Sequence, residues 1–234
     1  MDYLYLHGFA SSPRSTKAQF LKQQFARVGQ TLHILDLNQN DFAHLTLSRQ
    51  IEQALMWIGD RPQVTIIGSS FGGLTACWIA ERASVQTQIQ RLVLLAPAFQ
   101  FLNQWLPRLG AEAIAQWRET RWLSVYHYGR GEQLPLAYDF ITDAQQYDER
   151  QLKTAVPTLI LHGHHDDVIS IQASRDYAAA RSWTTLIELD SDHSLGSVQS
   201  QIWAAVQTFL KQPNLEVWHS AFGVPSAECR ERRT

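Results

Sequence analysis

The sequence predicts an α/β fold built on a mostly parallel six-stranded sheet with helices on both faces. Three observations carry this expectation. Six short runs, YLYLHG (3–8), TLHILDL (31–37), QVTIIGSS (63–70), RLVLLAPA (91–98), PTLILHG (157–163) and TTLIELD (184–190), are apolar at successive rather than alternate positions. Strands covered on both faces show that pattern. Longer amphipathic stretches of helical period separate the runs, and Gly, Pro, Asp or Ser closes them. Alternation of this kind implies parallel strands joined by crossover helices, with functional sites at the carboxyl ends of the strands.

The elements follow in order. After the first run, residues 15–28 place Ala18, Leu21, Phe25 and Val28 on one face, with Ser15 as N-cap and Gly29 as stop. After the second, residues 47–58 repeat the pattern with Leu47, Ile51, Leu55 and Ile58, closed by Gly59. The third run leads into a helix at 71–83, and the last two into helices at 171–181 and 196–211. Between the fourth and fifth runs, residues 99–155 break the rhythm and carry Trp105, Trp117, Trp122, Tyr126, Tyr128, Tyr138 and Phe140. Helical patterns are expected there at 101–107, 110–119 and 142–152, and no strand. An insertion this long at the site edge of a sheet reads as a helical lid. The expected organisation is one domain over 1–211 with this insertion inside it, and a tail at 212–234.

With 234 residues and 45 % hydrophobic content, the chain can bury one large core. Eight tryptophans among 11 % aromatics point to an aromatic-lined pocket. A net charge of −2, with no basic run before the terminal Arg230-Glu231-Arg232-Arg233, argues against nucleic acid or an anionic membrane as partner. Cys77 and Cys229 make no disulfide framework, and Cys77 reads as a small core residue. The opening MDYLYLHGF lacks a basic region, so it is not a secretory signal. No apolar run approaches the ~18 residues of a membrane span. The expectation is a soluble, cytoplasmic protein without stable membrane insertion.

The chemistry concentrates at VTIIGSSFGGLTACWIA, where Gly68-Ser69-Ser70-Phe71-Gly72 stands between a strand and a helix. That G-x-S-x-G context exposes the central serine on a strained turn. Ser70 is therefore the candidate nucleophile, and Ser69 should face the sheet. The Phe71 N–H, at a helix N-terminus, suits a developing oxyanion. A serine needs a base, usually a histidine held by a carboxylate. Of nine histidines, the strand-end criterion leaves His7, the cluster His162 to His165, and His193. The chain order Ser, acid, His selects His193, in LDSDHSLG. The acid should lie in LHGHHDDVIS (161–170), where the adjacent Asp166 and Asp167 point to different sides. The turn H-G-x-x-D followed by apolar residues favours Asp166 at the rim, with Val168 and Ile169 buried. Asp167 and Asp192 are the rivals. The second oxyanion donor should be Phe9 N–H, after His7-Gly8. His7, Gly8, Trp105 and Trp122 are expected around the substrate, with His7 more plainly bracing its loop than doing chemistry.

Together these residues resemble the α/β-hydrolase superfamily, and more narrowly the small bacterial esterases of the YqiA/YcfP type. The resemblance rests on YLHGFASSPRSTKA, GSSFGG, the Asp166 turn and the His193 loop, and spans residues 3 to about 211. It implies an α/β-hydrolase fold, nucleophile Ser70, acid Asp166, base His193, oxyanion donors Phe9 and Phe71, and no cofactor. Residues 99–155 and the tail fall outside the likeness. The implied reaction is hydrolysis of a small-molecule carboxylic ester with an apolar group, through an acyl-enzyme. A coenzyme A thioester is the alternative, met by Arg108, Arg118, Arg121 and Arg130. Two rival classes remain. His162-x-His164-x-Asp166 fits most of the H-x-H-x-D-H pattern of metallo-β-lactamase-type hydrolases, although Asp167 stands where the last histidine belongs. The other is a hydrolase fold used only for binding.

Overall fold

The structure is a computed structural model that describes residues 1–211. The expected tail, with Cys229 and the terminal basic residues, lies outside the described residues. The elements run β1 (Asp2–Leu6), α1 (Thr16–Arg27), β2 (Leu32–Leu35), α2 (Leu47–Ile58), β3 (Val64–Ser69), α3 (Phe71–Ala80) and β4 (Ile89–Leu95). Then come α4 (Phe101–Leu109), α5 (Ala111–Thr120), β5 (Trp122–His127), β6 (Glu132–Ala137) and α6 (Asp139–Ala144). The chain closes with β7 (Thr158–Gly163), α7 (Ile171–Ala179), β8 (Thr184–Leu189) and α8 (Gln199–Lys211).

All six apolar runs form strands of one sheet, in the order β2-β1-β3-β4-β7-β8, and every pairing within it is parallel. The pleat explains why the runs are continuously apolar. Leu4, Leu6, Ile66, Leu92, Leu94 and Ile160 enter one core, while Tyr5, Ile67, Val93, Leu95, Leu159 and Leu161 enter the other. A slip of one residue would exchange the two sets. On the first face lie α2, α3 and α7; on the second lie α1 and α8, through Ala18, Leu21, Phe25, Ile202 and Phe209. In α2, Leu47, Ile51 and Ile58 are buried, and each contributes up to roughly 1.5–3 kcal/mol. Thr46 caps this helix, accepting from Arg49 N at 3.1 Å, and Gly59 ends it at φ +45°. Ser15 occupies the N-cap position of α1, but its side chain makes no capping bond.

Residues 99–155 depart from expectation. No strand was anticipated, yet β5 and β6 form an antiparallel hairpin with Trp122 opposite Ala137 and His127 opposite Glu132. Leu123 and Val125 turn inward while Trp122, Ser124 and Tyr126 face solvent, which is the alternation of a half-covered strand. The helix expected over 142–152 is replaced by α6 and a 3₁₀ turn at Glu149–Gln151. Trp117 holds the insertion together, its indole N–H donating to Leu136 O at 2.9 Å, and Phe140, fully buried, seats it on the first face against Phe9 and Phe71. Among the described residues no helix is long and apolar enough to cross a membrane.

Candidate active site

β1 pairs with β2 on one side and β3 on the other, so the chain changes direction across the sheet at β1–β3. Crevices form outside the strand carboxyl ends at such a point. Ser70 lies there, between β3 and α3, at φ 52° and ψ −119°. A non-glycine residue in that region costs roughly 1–3 kcal/mol, and the surroundings must hold it. They do so through the backbone: Ser70 N donates to Leu95 O at 2.9 Å, and Ser70 O accepts from Gly73 N at 2.8 Å and Ala98 N at 3.0 Å. The flanking glycines allow the close approach. A Cβ on Gly72 would collide with the Leu6 and His7 carbonyl oxygens, and one on Gly68 with the Gly72 backbone. Ser69 is buried, as expected of the variable position facing the sheet.

His193 lies in the loop after β8. Its Nε2 stands 3.1 Å from Ser70 Oγ and its Nδ1 2.7 Å from Asp166 Oδ2. An ionised carboxylate only accepts, so Nδ1 carries the proton and Nε2 is left to accept from the Ser70 hydroxyl. Gly163 permits this approach of two loops, because a Cβ there would collide with the Ser191 carbonyl oxygen. Asp166 occupies the turn after β7, and its side chain is fully buried rather than at the rim. Four donors fill its acceptor positions: Oδ1 takes Val168 N at 2.9 Å and Ile169 N at 2.8 Å, and Oδ2 takes His193 and His162 Nε2, the latter at 3.0 Å. Burial works to raise its pKa, but the bonds from His162, His193 and Ile169 prevail and hold it well below the usual carboxylate range.

The rest of the cluster separates. Asp167 is exposed, and Asp192 is occupied within its own loop by Ser194 N at 3.0 Å and Ser194 Oγ at 2.6 Å. His164 and His165 face solvent beside Glu188 and Asp190. Among the described residues no group of three His, Cys, Asp or Glu side chains is placed to hold a metal ion. Val168 was expected to be buried with Ile169, but it is 43 % exposed, and Ile169 alone anchors the turn. His162, the first ligand of the metal pattern, is instead a neighbour of Asp166. It is fully buried, its Nδ1 is 2.8 Å from Ser174 Oγ, and its Nε2–H is shared between Ile169 O and Asp166.

The loop after β1 closes the other side. A Cβ on Gly8 would stand 3.2 Å from Ser70 Cβ and 3.8 Å from Ser70 Oγ, so this backbone passes directly against the serine. Phe9 follows it, and Phe71 opens α3, where the first amides have no intrahelical acceptor. His7 is buried and braces the loop: Leu37 N donates to Nε2 at 3.0 Å, and Nδ1 donates to Gly8 O at 2.9 Å. Over the site, the Phe9 ring packs against Trp105 at 5.3 Å and Phe140 at 5.2 Å, and Phe101 stacks on Trp105. Trp122 sits elsewhere, 46 % exposed beside His44. A cavity of about 850 Å³ opens against α3, α4 and α7. It shares Phe71 and Phe101 with the aromatic group, but neither Ser70, Asp166 nor His193 lines it.

A family model described as an uncharacterised protein family, UPF0227, matches residues 2–210. The chain belongs to that family. Its fold recurs in solved structures, each similar in shape and distant in sequence. A protein of Agrobacterium vitis S4 is 22 % identical over 90 % of this chain and 88 % of that one, with a TM-score of 0.76. The mouse alpha/beta hydrolase domain-containing protein 10 is 17 % identical over 89 % of each chain, at 0.73. A monoacylglycerol lipase from Paleococcus ferrophilus is 17 % identical over 89 % and 93 %, at 0.71. The UPF0227 chain thus has the α/β-hydrolase fold.

Proposed function

We propose that this protein is a serine esterase that hydrolyses small-molecule carboxylic esters carrying an apolar group. The observation that supports it most is the unbroken hydrogen-bonded path Asp166–His193–Ser70, in the tautomer a general base requires. In this reading His193 Nε2 takes the Ser70 proton as Oγ attacks the ester carbonyl. The oxyanion is met by the Phe9 and Phe71 amides, each worth roughly 10²–10³ in rate in comparable sites. The alcohol leaves with the proton from His193, and water repeats the sequence on the acyl-enzyme. Asp166 keeps Nδ1 protonated and stabilises the imidazolium. The half-buried Phe9 and Trp105 rings, backed by the buried Phe101 and Phe140, offer an apolar wall for one arm of the ester.

The ester reading is preferred over a coenzyme A thioester because three of the four arginines expected to meet it, all but Arg108, have local partners. Arg118 Nε donates to Tyr138 OH at 3.1 Å, Arg121 pairs with Asp139, and Arg130 lies 3.9 Å from Glu132. The test is labelling of the full chain by a fluorophosphonate probe, with p-nitrophenyl butyrate as substrate. Wild type is expected to be labelled at Ser70 and to turn over, and Ser70→Ala to do neither while keeping its circular dichroism. Undiminished turnover by Ser70→Ala would overturn the assignment.

A further inference from the structure

We propose that Lys17 is a positioning residue for His193, anchoring the base-bearing loop to α1 and opposing excess positive charge on the imidazole; this rests on the esterase reading above. Lys17 stands in the first turn of α1, in the SSPRSTKA run that no step of the reaction uses. Its Nζ donates to the His193 backbone carbonyl at 3.3 Å, across 176 residues of sequence. The charged groups facing it are Asp166, from the turn after β7, and Asp192, from the loop after β8. Of the two, Asp166 holds the imidazole, 2.7 Å from Nδ1.

The placement is costly on two counts. Burial pushes the Lys17 pKa down to about 8, against the pull of Asp166 and Asp192. A cation in the first turn of a helix also opposes the helix dipole, and α1 carries no acidic residue there to compensate. A side chain that lowers stability twice and yet points at the base loop has its explanation in that loop. The hydrogen bond fixes the His193 backbone and therefore the ring's approach to Ser70. The ammonium also balances Asp166 and Asp192. Without it, the Asp166 carboxylate would favour the imidazolium unopposed.

The test does not depend on turnover. In the full chain, ring-labelled histidines are titrated by NMR in wild type, Lys17→Met and Lys17→Arg, with His193→Asn to assign the signal. Lys17→Met is expected to raise the His193 pKa by about half a unit or more, and Lys17→Arg to leave it near the wild-type value. An unshifted or lowered His193 pKa in Lys17→Met overturns the proposal, and a lowered Tm with no shift marks Lys17 as merely structural. Should Lys17→Met fail to fold, Lys17→Gln removes the charge and keeps a donor; the same rise in the His193 pKa is expected of it, and no rise overturns the proposal. Fluorophosphonate labelling separates the two readings: a labelled wild type with an unshifted pKa sinks only the role of Lys17. An unlabelled wild type with a shifted pKa sinks only the esterase.

Discussion

At Asp166 four donors converge on one buried carboxylate, while its neighbour Asp167 is exposed. If Asp166 orients the base, Asp166→Asn should lower kcat by roughly 10²–10⁴, because an amide can present a donor to Nδ1 and reverse the tautomer. Asp167→Asn should change it by less than about twofold. Equal losses in p-nitrophenyl butyrate assays of the two variants would refute the distinction. The depressed folded pKa of Asp166 also fixes a sign. Its contribution to stability is fully present above the unfolded value near ~3.9, and is lost as pH falls from there through the folded value. Turn spacing alone pointed to Asp166, and the structure sets that residue, not Asp167, against His193. What spacing could not give was the carboxylate's depth, because His162 covers it only once β7 and α7 are packed. Nor could it single out Lys17, whose partner lies on the last loop of the fold.

The turn at Ser70 shows how an element imposes a residue. Gly72 stands where β1 and α3 come closest, and a methyl group there meets the Leu6 and His7 carbonyl oxygens rather than a movable side chain. Gly72→Ala should therefore cost about 3 kcal/mol or more, measured by urea unfolding. A loss below about 1 kcal/mol would mean that the β1–α3 spacing yields more readily than this packing implies. The sheet strands and most helices could be read from apolar period, because each buries what its pattern exposes. The β5–β6 hairpin escaped that reading for a local reason. Trp122 to His127 do alternate, and Gly129 and Gly131 punctuate the turn, with Gly131 at φ +72°. Pro135, however, stands mid-strand and removes a ladder donor. β6 tolerates it because, among the described residues, its only strand neighbour is β5, with Pro135 opposite Ser124. Strand order was likewise outside the pattern, since it is set by pairing between distant segments.

Across the whole molecule, the insertion must stay seated on the body, and its hairpin is held at a titratable point. His127 ends β5 at 1 % exposure, edge-on to Phe42 with ring centroids 4.8 Å apart. Neither of its ring nitrogens has a hydrogen-bond partner among the described residues. Burial chiefly lowers its pKa; its own backbone carbonyl works against that, Arg130 and His7 add to the lowering, and Asp36 opposes it. A depressed folded pKa means that the stabilising contribution is present above the unfolded value near ~6.5, and disappears as pH falls through the folded one. Protonation then places a charge at a buried site where the hairpin meets the body, which weakens that seating. Between pH 7 and pH 5 the wild-type Tm should therefore fall relative to that of a variant that cannot charge at this position. His127→Leu, which keeps an apolar side chain on Phe42, is that variant. The comparison cancels Glu149, whose pKa burial raises to about 7 in both proteins. Asp166 does not confuse the comparison, because its contribution changes only below about pH 4. Parallel Tm losses in the two proteins over that window would place the acid sensitivity elsewhere than at the hairpin.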